Sequence, residues 1–178
     1  MRIWDIDLGE VRQSDGFTCG PTSAMIAAAL LDPAYASALD TTAAGFAREQ
    51  RRIHRASNRL WPRRLGTTPW GVAAAISIHS AALGVRYGWR MFRGPRDDLT
   101  DVLAALDCGW PVALLIGRVI PRHWLLCTEH PDPATLRVYN PASGRIRDVG
   151  LDELRHHRLR LGFPRAFALV LPNRIVSG

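Results

Sequence analysis

The sequence predicts an α+β domain in which helices come first along the chain and most strands come later. Two patterns indicate this order: Ala-rich segments with helical spacing precede residue 109, and short apolar runs separated by turn residues follow it. The 178 residues have the length of one domain, and we expect a single unit over 1–178. Hydrophobic residues make up 47% of the chain and charged residues 22%, which excludes intrinsic disorder for most of its length.

A central, buried helix is predicted over Pro21–Leu31. The segment that begins at Gly20 and ends at Leu31 has no charged residue and is rich in Ala, Leu and Met, which favour helix. Pro21 suits the first helical turn, where its missing N–H removes no hydrogen bond. Because a helix that is apolar on all sides is buried, we expect this one at the centre of the core.

The remaining elements follow from periodicity and from the positions of Pro and Gly. Further helices are predicted over Thr41–Asn58 and Trp70–Leu83, from Asp97 or Thr100 to near Cys108, and over Asp152–His157. Strands are predicted over Arg2–Leu8, Val85–Phe92, Pro111–Ile116, His123–Glu129, Leu136–Tyr139 and Phe167–Leu171. No segment approaches the ~20 consecutive apolar residues that a membrane span needs.

The positive charge of the chain is concentrated in one segment. The formal net charge is +7, every basic residue is Arg, and ten arginines but no acid lie between Gln50 and Arg96. Arginines of the helix Thr41–Asn58 recur at helical spacing, so they predict a positive face around Arg48–Arg64. Such a face fits an acidic partner, whereas a nucleic-acid partner is not predicted because Trp61 is the one aromatic residue interleaved with it.

The cysteines bear on where the chain resides. Cys19, Cys108 and Cys127 are too few, and odd in number, for a disulfide framework. The amino terminus Met1–Gly9 carries charges and no long apolar run, so no signal peptide is visible. The sequence therefore predicts a cytoplasmic setting without disulfides, and it leaves export without a cleaved signal open.

Cys19 is the candidate nucleophile. It stands at the amino end of the predicted central helix, where the helix dipole and free N–H groups lower the pKa of a thiol. A nucleophilic Cys needs a base, normally His, and a third group that orients the base. His123 opens an apolar strand and Asn140 ends the next, so neighbouring strands can hold these two side by side. Gln13, on the loop before Cys19, can donate a hydrogen bond to a developing oxyanion.

A metal site is the competing reading of His123, Cys127 and His130, which lie close in sequence. On a strand, positions 123 and 127 share one face, whereas position 130 faces the other way. The chain also has no pair of cysteines separated by two residues. No zinc site, and no other metal or cofactor, is therefore predicted.

The residues around Cys19 resemble the nucleophile motif of the papain-like cysteine peptidases, in particular their C39-like branch. That motif has a Gln, five further residues, and then Cys-Gly-Pro and two small residues at the start of the central helix. Here these positions are Gln13, Cys19, Gly20, Pro21, Thr22 and Ser23. The blocks 109–112, 122–124 and 138–141 are similar to the strands that follow in those peptidases. Asn140 stands where the C39-like branch usually has Asp, and papain itself uses Asn.

The resemblance implies a papain-like fold, with a helical lobe and a β-sheet lobe on the two sides of a cleft. It implies Cys19 as nucleophile, His123 as general base, Asn140 as the residue that orients His123, and Gln13 as oxyanion donor. The implied activity is a peptidase that cleaves a peptide or protein substrate through a thioester on Cys19. Two alternatives stay open: a glutamine deamidase or transglutaminase-like effector or toxin with the same triad, and a binding or adaptor module without catalysis.

Overall fold

The computed structural model describes residues 11–16, 18–57 and 67–173. The predicted strand Arg2–Leu8 lies outside these residues. Within them, six α-helices pack against one six-stranded sheet whose neighbouring strands are all antiparallel. The predicted α+β class, with a helical part packed on an antiparallel sheet, is confirmed.

The helices are α1 (Cys19–Leu31), α2 (Pro33–Ala38), α3 (Ala43–Ser57), α4 (Pro69–Ser80), α5 (Thr100–Asp107) and α6 (Leu151–Arg155). Helix α1 begins earlier than predicted, so Cys19 is its first residue. Helix α2 was not predicted, because the Asp32-Pro33 pair that starts it is also a signal that ends the preceding helix. Asp32 also caps α2, since its side chain accepts a hydrogen bond from the Tyr35 N–H at 3.0 Å, and Pro33 fills the first turn.

The strands are β1 (Arg86–Met91), β2 (Val112–Gly117), β3 (Pro121–Asp132), β4 (Thr135–Asn140), β5 (Arg145–Gly150) and β6 (Arg165–Asn173), in the sheet order β1-β6-β2-β3-β4-β5. Strand β5 was not predicted, because its sequence Arg-Ile-Arg-Asp-Val-Gly is mostly polar and lacks an apolar run. It is the edge strand beyond β4, and polar side chains are typical of an exposed edge.

Alternate side chains of the sheet supply two apolar layers. Trp124 and Leu126 of β3 pack in the layer that contains α1, whereas Leu125 and Cys127 pack in the layer that contains α5 and α6. Every residue of α1 except Leu30 is buried, which confirms its expected central position. Because α1 is covered on all sides, its amino end is fixed relative to β3, and β3 carries the candidate base.

Candidate active site

The amino end of α1 is held tightly against strand β3. A Cβ atom at Gly20 would lie 2.8 Å from Thr67 Cβ and 3.1 Å from Trp124 Cδ1, so a larger residue would push the helix away from the strand. The Trp124 indole N–H donates a hydrogen bond to the Thr67 carbonyl at 2.9 Å, which stabilises the packing of these two residues around Gly20. Trp124 follows His123 directly in the chain, so this packing holds the amino end of α1, which begins with Cys19, against the strand that carries the candidate base.

His123 and Asn140 are in direct hydrogen-bond contact. His123 Nε2 lies 2.8 Å from Asn140 Oδ1, and the histidine is buried with 6% of its surface exposed. The Ala142 N–H donates to the same Asn140 atom at 3.0 Å, which identifies that atom as the amide oxygen. A carbonyl oxygen only accepts, so Nε2 must carry the proton. The neutral ring therefore has its lone pair on Nδ1, where it can accept a proton.

Burial shifts the pKa values of the Cys19 thiol and the His123 imidazole in the directions that favour their neutral forms. The Cys19 thiol is 3% exposed, and burial raises its pKa above the usual value, although the N–H groups of Trp124 and Gly20 hydrogen-bond to the sulfur and favour the thiolate. Burial also lowers the pKa of His123, and the hydrogen bond that His123 donates to Asn140 offsets only part of this. The expectation of a lowered Cys19 pKa is therefore wrong for the resting protein, because desolvation outweighs the helix amino end.

Gln13 is tied to the loops around the site. Its backbone N–H donates to the Pro141 carbonyl at 3.0 Å, which joins the loop before α1 to the turn after Asn140. Its side-chain Nε2 donates one proton to the Asp15 carbonyl at 2.9 Å, and Oε1 is buried without a hydrogen-bond partner among the described residues. The amide nitrogen retains a second N–H, so Gln13 can still donate to another acceptor.

Two clefts open at this place, and the candidate residues divide between them. The first, which we call the apolar cleft, has a volume of about 420 Å³, and its lining includes Cys19, Trp70, Trp89, Met91 and Trp124. The second, which we call the basic cleft, has a volume of about 590 Å³, and its lining includes Gln13, His123, Asn140, Arg145, Arg147 and Arg160. Arg122 lines both, so the two clefts adjoin beside His123.

The resemblance implies one cleft between two lobes, but two adjoining clefts with an apolar and a basic lining were not predicted from the sequence. Their side chains come from segments far apart in the chain, and only the packing of the sheet brings them together. One weak local signal existed, because Arg145 and Arg147 lie on the two sides of Ile146 in the sequence and so share one face of a strand.

The other two cysteines differ from each other. All three thiols are free, but Cys127 is buried in the core, where burial raises its pKa to about 12. Cys108 is exposed at the end of α5. The two residues that flank Cys108, Asp107 and Gly109, are exposed as well, so the end of α5 faces solvent.

The predicted positive face on α3 is partly neutralised by acids. Arg48 forms an ion pair with Asp40, and Arg52 pairs with Glu49 at 2.6 Å. Arg59 to Arg64 lie outside the described residues, so the acidic partner expected at Arg48–Arg64 stays a prediction. In the described part of the chain, no group of three or more His, Cys, Asp or Glu side chains could hold a metal ion. Nor does any helix there have the length and apolarity to cross a membrane.

The chain matches solved structures but no family model and no curated protein. Among solved structures, the chain is similar to the peptidase domain of Streptococcus mutans ComA, with 13% sequence identity and a TM-score of 0.49. The similarity covers 92% of this chain and 97% of that domain. A peptidase domain is thus among the structures that this fold resembles.

Proposed function

We propose that this protein is a papain-like cysteine hydrolase that cleaves peptide bonds, with Cys19 as nucleophile and His123 as general base. One observation carries the proposal: His123 Nε2 is bound to Asn140 Oδ1 at 2.8 Å, on a strand whose next residue, Trp124, packs against Gly20 directly after Cys19. This contact fixes the tautomer in which Nδ1 accepts a proton. A base held by a third group beside a nucleophile is the arrangement that covalent catalysis requires.

In the first half of the reaction, His123 Nδ1 takes the thiol proton of Cys19, and the sulfur attacks the carbonyl carbon of the substrate. The negative charge that develops on the carbonyl oxygen accepts hydrogen bonds from the Cys19 backbone N–H and from the second Gln13 Nε2–H. His123 then returns its proton to the departing amine as the carbon–nitrogen bond breaks. The products are a free amine and a thioester on Cys19.

In the second half, His123 Nδ1 takes a proton from water, and the oxygen of that water attacks the thioester carbonyl. The tetrahedral intermediate collapses and releases a carboxylic acid, and the proton returns to the Cys19 sulfur. Asn140 keeps the Nε2–H bond throughout, so the imidazolium formed in each half keeps its orientation. A neutral Cys19 thiol and a neutral His123 imidazole suit this cycle, because the imidazole must be unprotonated in order to take the thiol proton.

Acylation of Cys19 is the first test. p-Nitrophenyl acetate should give a burst of one nitrophenol per protein, with the acetyl group located on Cys19 by peptide mass spectrometry. The experiment uses Cys108→Ser as its background, because the exposed Cys108 thiol would react as well. Cys19→Ala should abolish the burst, and His123→Ala should slow it roughly 10²–10⁴-fold, which is what general base catalysis contributes. A burst that survives Cys19→Ala would contradict the proposal.

Hydrolysis of peptide bonds is the second test. A complex peptide mixture incubated with the Cys108→Ser protein in heavy-oxygen water should yield new carboxyl termini that carry the label. Cys19→Ala should yield none. Conversion of glutamine to glutamate without chain cleavage would replace the peptidase by a deamidase, and an unreactive Cys19 would support the binding-module alternative.

A further inference from the structure

Four arginines converge on the basic cleft from three separate parts of the fold. Arg122 lies at the start of β3, Arg145 and Arg147 alternate on β5, and Arg160 lies between α6 and β6. All four are exposed, and no acidic side chain of the described residues lines the cleft.

The backbone around these arginines is fixed. Arg160 lies between Leu159 and Leu161, both of which are buried in the layer that contains α5 and α6. Phe163 of the same segment has its ring centroid 6.3 Å from that of His123. Arg145 is directly opposite Asn140 in the register between β4 and β5. The positive charges are therefore held next to the His123–Asn140 pair.

These four arginines also differ in charge balance from two arginines of the sheet, Arg137 and Arg90. Arg137 pairs with Asp148 and Glu129, and Arg90 pairs with Asp97 and Asp101. None of the four forms an ion pair with a carboxylate of the described residues. Like charges around one cleft repel each other, and a bound carboxylate would relieve this repulsion. The guanidinium group also matches a carboxylate in shape, because it can donate two parallel hydrogen bonds.

The position of His123 decides which part of a substrate would occupy this cleft. His123 must hand its proton to the departing amine, so the departing segment has to lie on the His123 side. His123 lines the basic cleft, whereas Cys19, which retains the acyl part, lines the apolar cleft. The departing segment therefore meets the arginines.

We infer that the basic cleft selects substrates whose departing segment carries a carboxylate within a few residues of the scissile bond. This inference rests on the proposed function. The carboxylate is either an acidic side chain or the free carboxyl terminus of a short departing peptide. Both would meet the same guanidinium groups, so substrates with the charge in different places must separate them.

The test uses thioesters that share one acyl group, hydrocinnamoyl, and differ in the thiol that departs. The neutral thiol is mercaptopropionyl-alaninamide, and the thiol with a terminal carboxylate is mercaptopropionyl-alanine. The thiol with a side-chain carboxylate is mercaptopropionyl-aspartic acid whose α-carboxyl group is an amide. Consumption of each thioester by the Cys108→Ser protein gives its kcat/KM. We expect at least one anionic thioester to exceed the neutral one by ~10-fold at low salt, since several exposed charge pairs add modest contributions. The preference should shrink as salt is added.

The double variant Arg145→Gln, Arg147→Gln should bring the ratio of kcat/KM between anionic and neutral thioesters close to 1, mainly by lowering kcat/KM for the anionic ones. The matched control is Arg51→Gln, Arg55→Gln, which removes two exposed arginines of α3 and should keep the preference intact. Equal rates for anionic and neutral thioesters would overturn the inference and leave the proposed function standing. Equal loss in both double variants would also overturn it, because net charge alone would then explain the preference. If Cys19 consumes none of the thioesters, the proposed function fails and the inference fails with it.

Discussion

The apolar cleft and the basic cleft adjoin at Arg122, beside His123, but their walls differ in chemistry. Trp70, Trp89 and Met91 on the apolar side are 54%, 44% and 60% exposed, which is high for large apolar side chains. On the basic side, the exposed groups are arginines. The apolar side gains affinity from dehydration over short distances, whereas the basic side attracts charge over about 10 Å and loses that attraction in salt. The two halves of a substrate would thus be recognised by different physical forces.

The boundary between the clefts follows the order of strands in the sheet. The apolar cleft lies over β1, β6, β2 and part of β3 together with the start of α4, whereas the basic cleft lies over the start of β3, the end of β4 and the start of β5. His123 on β3 stands at the junction. Substitution of a residue that holds His123 should therefore change kcat/KM for every substrate. Substitution of a residue in one cleft should change kcat/KM only for substrates whose corresponding half contacts that cleft.

The largest effect after removal of the nucleophile or the base is expected from Asn140→Ala. Without Oδ1 the ring can rotate or take the other tautomer, so kcat/KM should fall roughly 10–100-fold for neutral and anionic thioesters alike. A fall in kcat/KM confined to the anionic thioesters would show that Asn140 recognises the substrate. It would contradict the assignment of Asn140 to the group of residues that hold His123.

The pH profile separates orientation from a structural effect of the same variant. The His123 pKa is lowered by burial, so the acid limb of kcat/KM should lie below the usual histidine value of about 6.5, with activity lost as the pH falls through it. The Asn140 hydrogen bond raises that pKa, so Asn140→Ala should move the acid limb to still lower pH. Asn140→Asp keeps an acceptor and adds a negative charge, so it should restore rate and move the limb to higher pH. An unchanged limb in both variants would argue against contact with the base.

Local signals in the sequence were enough for the parts of the site that a single element carries. The uncharged segment before Leu31 predicted a buried helix with Cys19 near its amino end. The order of His123 and Asn140 on successive strands predicted their contact, because consecutive antiparallel strands are usually neighbours. The structure places these two side chains in hydrogen-bond contact.

Features that depend on packing could not be predicted in this way. Desolvation of the Cys19 thiol depends on how closely Trp124 and Thr67 cover the helix end. For this reason the predicted direction of the Cys19 pKa shift was wrong. The exposure of Cys108 depends on which turn of α5 faces solvent. The arginines of the basic cleft come from three segments, and no single window of sequence contains them.

A smaller effect is expected from Trp89→Ala in the apolar cleft. Trp89 lies on β1 near Trp70, with ring centroids 6.3 Å apart, and about half of its surface is available to a ligand. Loss of that surface should raise KM about fivefold for hydrocinnamoyl thioesters, equivalent to roughly 1 kcal/mol of apolar contact. Acetyl thioesters should be nearly unaffected, and the preference for anionic departing groups should not change. A changed charge preference would show that the two clefts do not act independently.

The smallest effect is expected at the arginines of α3, and it should be on stability alone. Arg52 pairs with Glu49, which also accepts a hydrogen bond from the Tyr35 hydroxyl at 2.6 Å. Arg52→Gln should lower the free energy of unfolding by about 0.5 kcal/mol, as for other exposed pairs, with no change in kcat/KM for any thioester. The Arg52 hydrogen bond lowers the pKa of Glu49, so this contribution is present above the unfolded glutamate pKa and is lost as the pH falls through the folded value. Arg145→Gln, Arg147→Gln should not destabilise the fold, because these side chains have no described carboxylate partner and their charges repel. Urea unfolding of Arg52→Gln and of the Arg145→Gln, Arg147→Gln double variant measures both free energies of unfolding. A larger loss of stability in the double variant would contradict this prediction. Arg145 and Arg147 would then stabilise the fold and would not be explained by a ligand.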